Sequence, residues 1–339
     1  MIQTQKRHRN THNHKHIVFC FTILVLLWVC IPNTFGSVQD EEATLIKTER
    51  RLPMLNGHRF VLSTQITDPF ISSFVGTSTG FGAATDVNIT IYDFEGEPYA
   101  AVQGNLAYML LSMEYRQALN NWLSVWTQVE GLARMGINAE SLLSQGITGV
   151  FGFELGGLAR IWQNDRFQLS GSIAYRRSKF IGVDILGFVQ RVIREGGIAP
   201  DNTLTKRIPT NRYDAGLHFT YAPADWVGFL ASAELGFTDS IFDRGKNEAM
   251  LVLAGLASFD LNPRTGIPLG FHLGFNYTSY PENADDLIED VRRILFKVAY
   301  TGRREFSIAL EVNYLRAPLR FTDDLLSSFA GGITLRYYF

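Results

Sequence analysis

The sequence predicts an all-β chain: a transmembrane, antiparallel, up-and-down barrel of about twelve strands with both termini on one rim. Three observations carry that prediction. Apolar and polar residues alternate with a period of two through much of the chain beyond residue 85, the signature of strands with one apolar face. After residue 36 there is no run of about 18 apolar residues, so spanning helices are excluded. The links between alternating segments are by turns short and long, as in barrels with tight turns on one rim and loops on the other.

Residues 1–36 read as a secretory signal. Lys6, Arg7, Arg9 and Lys15 form a positive start, Ile17 to Ile31 is uncharged and mostly apolar, and Thr34-Phe35-Gly36 offers small residues for cleavage. Four histidines (His8, His12, His14, His16) precede the apolar run and would leave with it. Both cysteines, Cys20 and Cys30, lie in the same segment, so an exported chain would carry no disulfide. Cleavage leaves 27 basic against 33 acidic residues, a net charge of −6, which argues against a nucleic-acid partner.

Residues 37–84 read as a periplasmic lead-in or partial plug. The stretch to residue 57 is charged, Phe60 to Ile66 could form a short strand before an Asp68-Pro69 turn, and Gly76 to Thr85 (GTSTGFGAAT) reads as linker into strand. The barrel is expected over 85–339. Its strands fall near 87–93, 99–117, 121–135, 149–162, 166–180, 211–222, 226–239, 249–261, 267–279, 291–301, 305–316 and 328–339. Leu269, Phe271, Leu273, Phe275 and Tyr277 share one face of the ninth, against Gly270, His272, Gly274, Asn276 and Thr278. A soluble sandwich alternates as well. It has no reason to sort its links, however, and here Asn120-Asn121, Gln163-Asn164-Asp165 and Ala222–Asp225 alternate with links at 136–148, 181–210 and 240–248. Short turns facing the periplasm would place both termini there.

Aromatics mark the rims. Tyr221, Tyr300, Phe306 and Phe339 lie on outward parity beside short turns, and Tyr213, Phe237, Tyr277 and Tyr314 at the far ends. Trp122, Trp162 and Trp226 point inward by the same parity, so either the register slips there or they line the rim. The last strand, GGITLRYYF, is expected to close the barrel against residues near 87–93.

With a signal-like start, repeated hairpins and a final strand ending on Tyr337 and Phe339, the chain resembles Gram-negative outer-membrane β-barrel proteins of the porin and transporter kind. The resemblance implies outer-membrane lipid and lipopolysaccharide as surroundings. It also implies that Tyr337 and Phe339 are read by the barrel-assembly machinery.

Inward parity gathers charge of both signs: Glu114, Glu130, Arg134, Glu154, Arg160, Arg176, Asp214, His218, Glu234, Lys297, Glu311 and Arg336, with His272 beside them. A lipid-facing Arg or Lys at mid-depth costs about 2–4 kcal/mol, so charge belongs inside. Such a lumen could select a small polar or amphipathic solute, making the chain a channel or passive transporter, or the charges could pair and occlude it, leaving a structural or surface-binding barrel. The segment VDILGFVQRVIREGG within 182–197 has helical spacing and could serve as lid or constriction. Asp285, Asp286, Glu289 and Asp290 read as a solvated acidic turn without calcium-loop spacing. No cofactor or metal is expected. A third reading, a lipid-active enzyme, has only His58, His218 and His272 to draw on for a base, and no nucleophile motif accompanies them.

Overall fold

The computed structural model describes residues 52–92, 98–136, 147–183, 205–239, 247–279, 290–318 and 325–339, all within the compact unit Arg50–Phe339. The signal-like segment, the helix-patterned stretch beyond Val183 and most of the acidic link lie outside the described residues.

Two short strands, β1 (Met54–Leu55) and β2 (His58–Arg59), form a hairpin. Its turn is Asn56-Gly57, and both residues hold positive φ, 49° and 77°, the backbone that a two-residue turn of the Asn-Gly type requires. The wall begins with β3 (Phe74–Tyr92), β4 (Pro98–Ala118), β5 (Leu123–Gly136) and β6 (Ile147–Gln163). It continues through β7 (Phe167–Val183), β8 (Thr205–Ala224), β9 (Val227–Asp239) and β10 (Asn247–Asp260). β11 (Leu269–Ser279), β12 (Val291–Tyr300), β13 (Phe306–Pro318) and β14 (Leu325–Tyr338) complete it. These twelve strands pair antiparallel with their sequence neighbours, and β14 pairs with β3 to close the barrel. Closure leaves no unpaired edge, the condition for crossing lipid with strands.

Alternation sets the two faces. Phe151, Leu217, Leu235, Leu273, Leu310 and Phe329 stand exposed on the outside, while Gln168, His218, Ser258, His272, Lys297 and Glu311 are buried inside. An exposed apolar belt over a polar interior is the inverse of a soluble protein, and it places the barrel in the bacterial outer membrane. Tight turns sit at the rim where β3 starts and β14 ends. Two have the same design: Asn120 Oδ1 accepts the N–H groups of Trp122 and Leu123 at 2.9 and 2.8 Å, and Asn164 Oδ1 those of Arg166 and Phe167 at the same distances. A third contains a four-residue helix, α1 (Asn262–Thr265), ended by Gly266 at φ 68°.

One expectation is corrected and one open choice is decided. The first strand runs from Phe74, not from about residue 87, and β14 closes against Phe74–Thr85 rather than residues near 87–93. Among the glycines that read as linker, Gly80 is required by a close backbone approach and Gly82 leaves room for a ring. A Cβ on Gly80 would lie 2.9 Å from the Gly331 carbonyl oxygen, and one on Gly82 would lie 2.2 Å from the Tyr108 ring. Of the two alternatives for the tryptophans beside the short turns, the register slip holds at Trp162 and before Trp226. The pairing of β6 with β7 shifts between Arg160 and Trp162, a bulge that turns Trp162 outward to stack on Phe167 at 6.4 Å. A similar shift between Tyr221 and Ala224 precedes Trp226, which packs on Phe259 at 6.3 Å.

Candidate functional site

Residues 52–73 are not part of the wall. No β-ladder joins them to it among the described residues; most are buried, Met54 and Gly57 being exposed at the rim, and they are held by inward-facing side chains. At the short-turn rim, Asn56 Nδ2 donates to the Ala222 carbonyl at 3.0 Å, and the Arg59 guanidinium donates to the carbonyls of Thr301 (2.8 Å), Arg303 and Phe306. His58 shares a hydrogen bond with Ser258 at 3.2 Å, and burial pushes its pKa down to about 4, partly offset by Asp225. The ring is therefore neutral at pH 7.

Further along, the wall reads the backbone of this segment. Ser258 Oγ accepts the Val61 N–H at 2.9 Å, the His272 ring donates to Val61 O at 2.9 Å, and Lys297 Nζ donates to Leu62 O at 2.9 Å. The chain climbs to Gln65 and returns. Arg116 donates to Asp68 O at 2.7 Å, and both Gln168 (2.6 Å) and Ser170 (2.8 Å) donate to Pro69 O. The reversal falls at Thr64–Ile66, ahead of the expected Asp68-Pro69 turn, and Asp68 Oδ1 accepts the Phe70 N–H at 2.9 Å on the returning chain.

Charge fixes the segment at two levels. Glu311 accepts from Ser63 Oγ at 2.7 Å and from the Thr64 N–H at 3.1 Å while pairing with Lys297 at 3.1 Å. Asp68 lies 3.4 Å from Arg336 and 4.0 Å from Arg116, and Glu114 lies 3.0 Å from Arg116 and 3.8 Å from Arg336, a four-charge knot. The two guanidiniums of the knot rest over the Phe74 ring at 5.4 and 4.8 Å. Between these levels Phe60, Leu62, Ile66 and Phe70 pack with Leu230, Leu256 and Leu295 of the wall in one apolar cluster.

Beyond the tip lies a polar cavity of about 370 Å³, its floor formed by Thr64–Asp68 and its wall by Glu114, Glu130, Glu154, Arg176, Glu234 and Arg293 among others. Arg176 Nε donates to Glu154 Oε2 at 2.7 Å and its guanidinium lies 3.7 Å from Glu130; Trp126 Nε1 donates to the other oxygen of Glu154 at 2.9 Å. Thr67 Oγ1 donates to Glu234 at 2.8 Å, and Arg293 donates to the Gln65 side-chain oxygen.

Among the residues singled out from sequence, Glu114, Glu130, Glu154, Arg176, Glu234, Glu311 and Arg336 border this cavity. His272 and Lys297 lie below it, engaged with the segment's carbonyls. Arg160 sits apart, at the short-turn rim beside the bulge, bonded to Gln163 and near Met54–Gly57. His218 is buried and shares a 2.8 Å hydrogen bond with Ser172, but its other ring nitrogen meets no acid, so the pair lacks the orienting group of a nucleophile and base. Tyr337 is exposed on the outer face, and Phe339 stacks on Tyr115 at 6.1 Å.

Sequence reasoning missed Ser63, Thr64, Gln65, Thr67, Asp68, Arg116 and Arg293. Two signals could have found the segment. Asn56-Gly57 is a strong hairpin dipeptide, and β10 reads AMLVLAGLA over 249–257, apolar on both faces, as a strand must be when apolar groups pack on its inner side.

No protein-family model matches the sequence, and no curated protein matches it. Among solved structures, an outer-membrane channel from Pseudomonas putida F1 superposes with a TM-score of 0.50 at 12% identity, covering 79% of this chain and 95% of that one. A Pseudomonas aeruginosa FadL homologue gives 0.47 at 12% identity over 79% and 91% of the two chains. The translocator domain of the autotransporter NalP from Neisseria meningitidis gives 0.47 at 9% over 79% and 88%. At such identity the likeness to the P. putida structure is one of fold: the outer-membrane β-barrel.

Proposed function

We propose that the protein is a gated outer-membrane channel for a small polar or amphipathic solute, closed in this state by its own residues 52–73. The observation that carries the reading is the way this segment is attached. It is held by side-chain contacts and an apolar cluster, with no strand pairing to the wall among the described residues, so it can leave without opening the barrel sheet. Above it lies a charged cavity of a size suited to small ligands. In this reading residues 1–36 are removed on export, the short-turn rim faces the periplasm, and lipopolysaccharide surrounds the opposite rim. Deleting residues 52–72 tests the idea in planar bilayers. The parent should be silent or open only briefly, and the deletion should conduct in discrete steps across voltages.

A second reading, a structural or surface-binding barrel with a permanently filled lumen, is favoured by the burial of Arg336, Lys297, Glu311 and Asp68 against one another and the segment. A silent but correctly folded deletion variant would select that reading.

A further inference from the structure

The floor of the cavity is a stretch of peptide held as a ligand would be held. Four wall groups grip residues 64–67. Glu311 accepts the Thr64 N–H at 3.1 Å, Asn276 Nδ2 donates to the Gln65 backbone oxygen at 3.3 Å, Arg293 donates to the Gln65 side-chain oxygen, and Glu234 accepts the Thr67 hydroxyl at 2.8 Å. Two of these contacts read main chain and two read polar side chains. A solute that offers hydroxyls alone could donate to Glu234 and accept from Asn276 and Arg293, but it has no amide N–H to place on Glu311 in the backbone spacing that Thr64 and Gln65 present. A short peptide supplies N–H, C=O and hydroxyl together. The rest of the cavity is polar, with Arg176 paired between Glu154 and Glu130.

We infer that the cavity is a binding site for short polar peptides, with its floor occupied by the protein's own residues 64–67, and that a peptide taking those four contacts displaces the tip and releases the segment. This rests on the gated-channel reading, since the segment must be able to leave. A ligand that binds only the released form shifts the equilibrium towards it by the factor 1 + [L]/Kd, about tenfold at ten times the dissociation constant.

The probe is the blocked tetrapeptide acetyl-Thr-Gln-Ile-Thr-amide. Ile66 is 8% exposed, packed in the apolar cluster at the cavity floor, so a thiol placed there reacts slowly with a maleimide until the segment moves. In full-length protein carrying Ile66→Cys, with Cys20 and Cys30 changed to serine, the peptide should speed modification about tenfold at that concentration while sucrose leaves it unchanged. Glu234→Gln combined with Arg293→Met should abolish the acceleration. A rate unmoved by peptide, or moved equally by sucrose, overturns the assignment. Calorimetric titration of the wild-type protein with the same peptide guards against misfolding of the cysteine variant. Saturable heat supports the site, and none up to about 1 mM, the weakest affinity of interest, overturns it. Conductance of the 52–72 deletion involves no peptide. A conducting deletion without peptide response therefore removes this inference alone, and a silent deletion removes the channel reading.

Discussion

Glu311 is the residue on which most converges. It is 5% exposed, pairs with Lys297, and receives hydrogen bonds from Ser63 and Thr64. A buried ion pair is weak evidence of net stability, but removing one partner strands the other charge. Glu311→Ala is expected to destabilise the folded protein by about 3–5 kcal/mol, whereas Lys297→Met with Glu311→Leu should cost less, since it strands no charge and loses only the hydrogen bonds to Ser63, Thr64 and Leu62; denaturant unfolding in micelles compares them. If the single and double variants unfold alike, the pair does not carry the lock. At this scale the sequence is half legible. Parity gives the side of the wall a residue occupies, since side chains alternate strictly along a strand. It cannot give the partner: Lys297 meets Leu62 across 235 positions and Arg336 meets Asp68 across 268.

Among elements, β3 and β14 show why a strand can hide from a hydrophobicity pattern. The inward positions Gly76, Ser78, Gly80 and Gly82 carry almost no side chain, so no alternation is visible, yet their smallness is what the seam needs. Gly80 faces Gly332 in register, and a Cβ on Gly332 would come 2.8 Å from Thr79 O. Gly80→Val should therefore force the two strands apart, costing about 1–3 kcal/mol by overpacking and lowering the yield of closed barrel in a gel-shift folding assay. Gly131→Ala is the control, because a Cβ there meets nothing within 4 Å. Equal yields for the two variants would remove the steric account of the seam. The strands with clean alternation, β11 and β13, lie close to their sequence-derived bounds. The inward parity of Trp162 marked the bulge at Arg160 to Trp162 only as one of two alternatives, because one extra residue inverts every later facing without changing composition.

Across the molecule, closure depends on the last residues of β14 reaching the start of β3. The Phe339 N–H donates to Ser73 O at 3.1 Å, the Tyr338 N–H to Glu305 O at 2.8 Å, and the Phe339 ring stacks on Tyr115. Phe339→Ala is expected to slow insertion into vesicles several-fold while leaving conductance of the inserted, plug-deleted barrel unchanged. A variant that inserts at the parent rate would show the ring to be dispensable for assembly. The sequence by itself determined the barrel, its strand number, the sorting of its turns and the sign of its two faces, because each follows from local periodicity and turn chemistry. Only the tertiary structure decided that residues 52–73 lie inside the barrel and turn its charges into a lock. Those contacts join positions from 48 to 268 residues apart, and the energy that holds the segment comes from apolar packing and buried charge that no single stretch of chain contains.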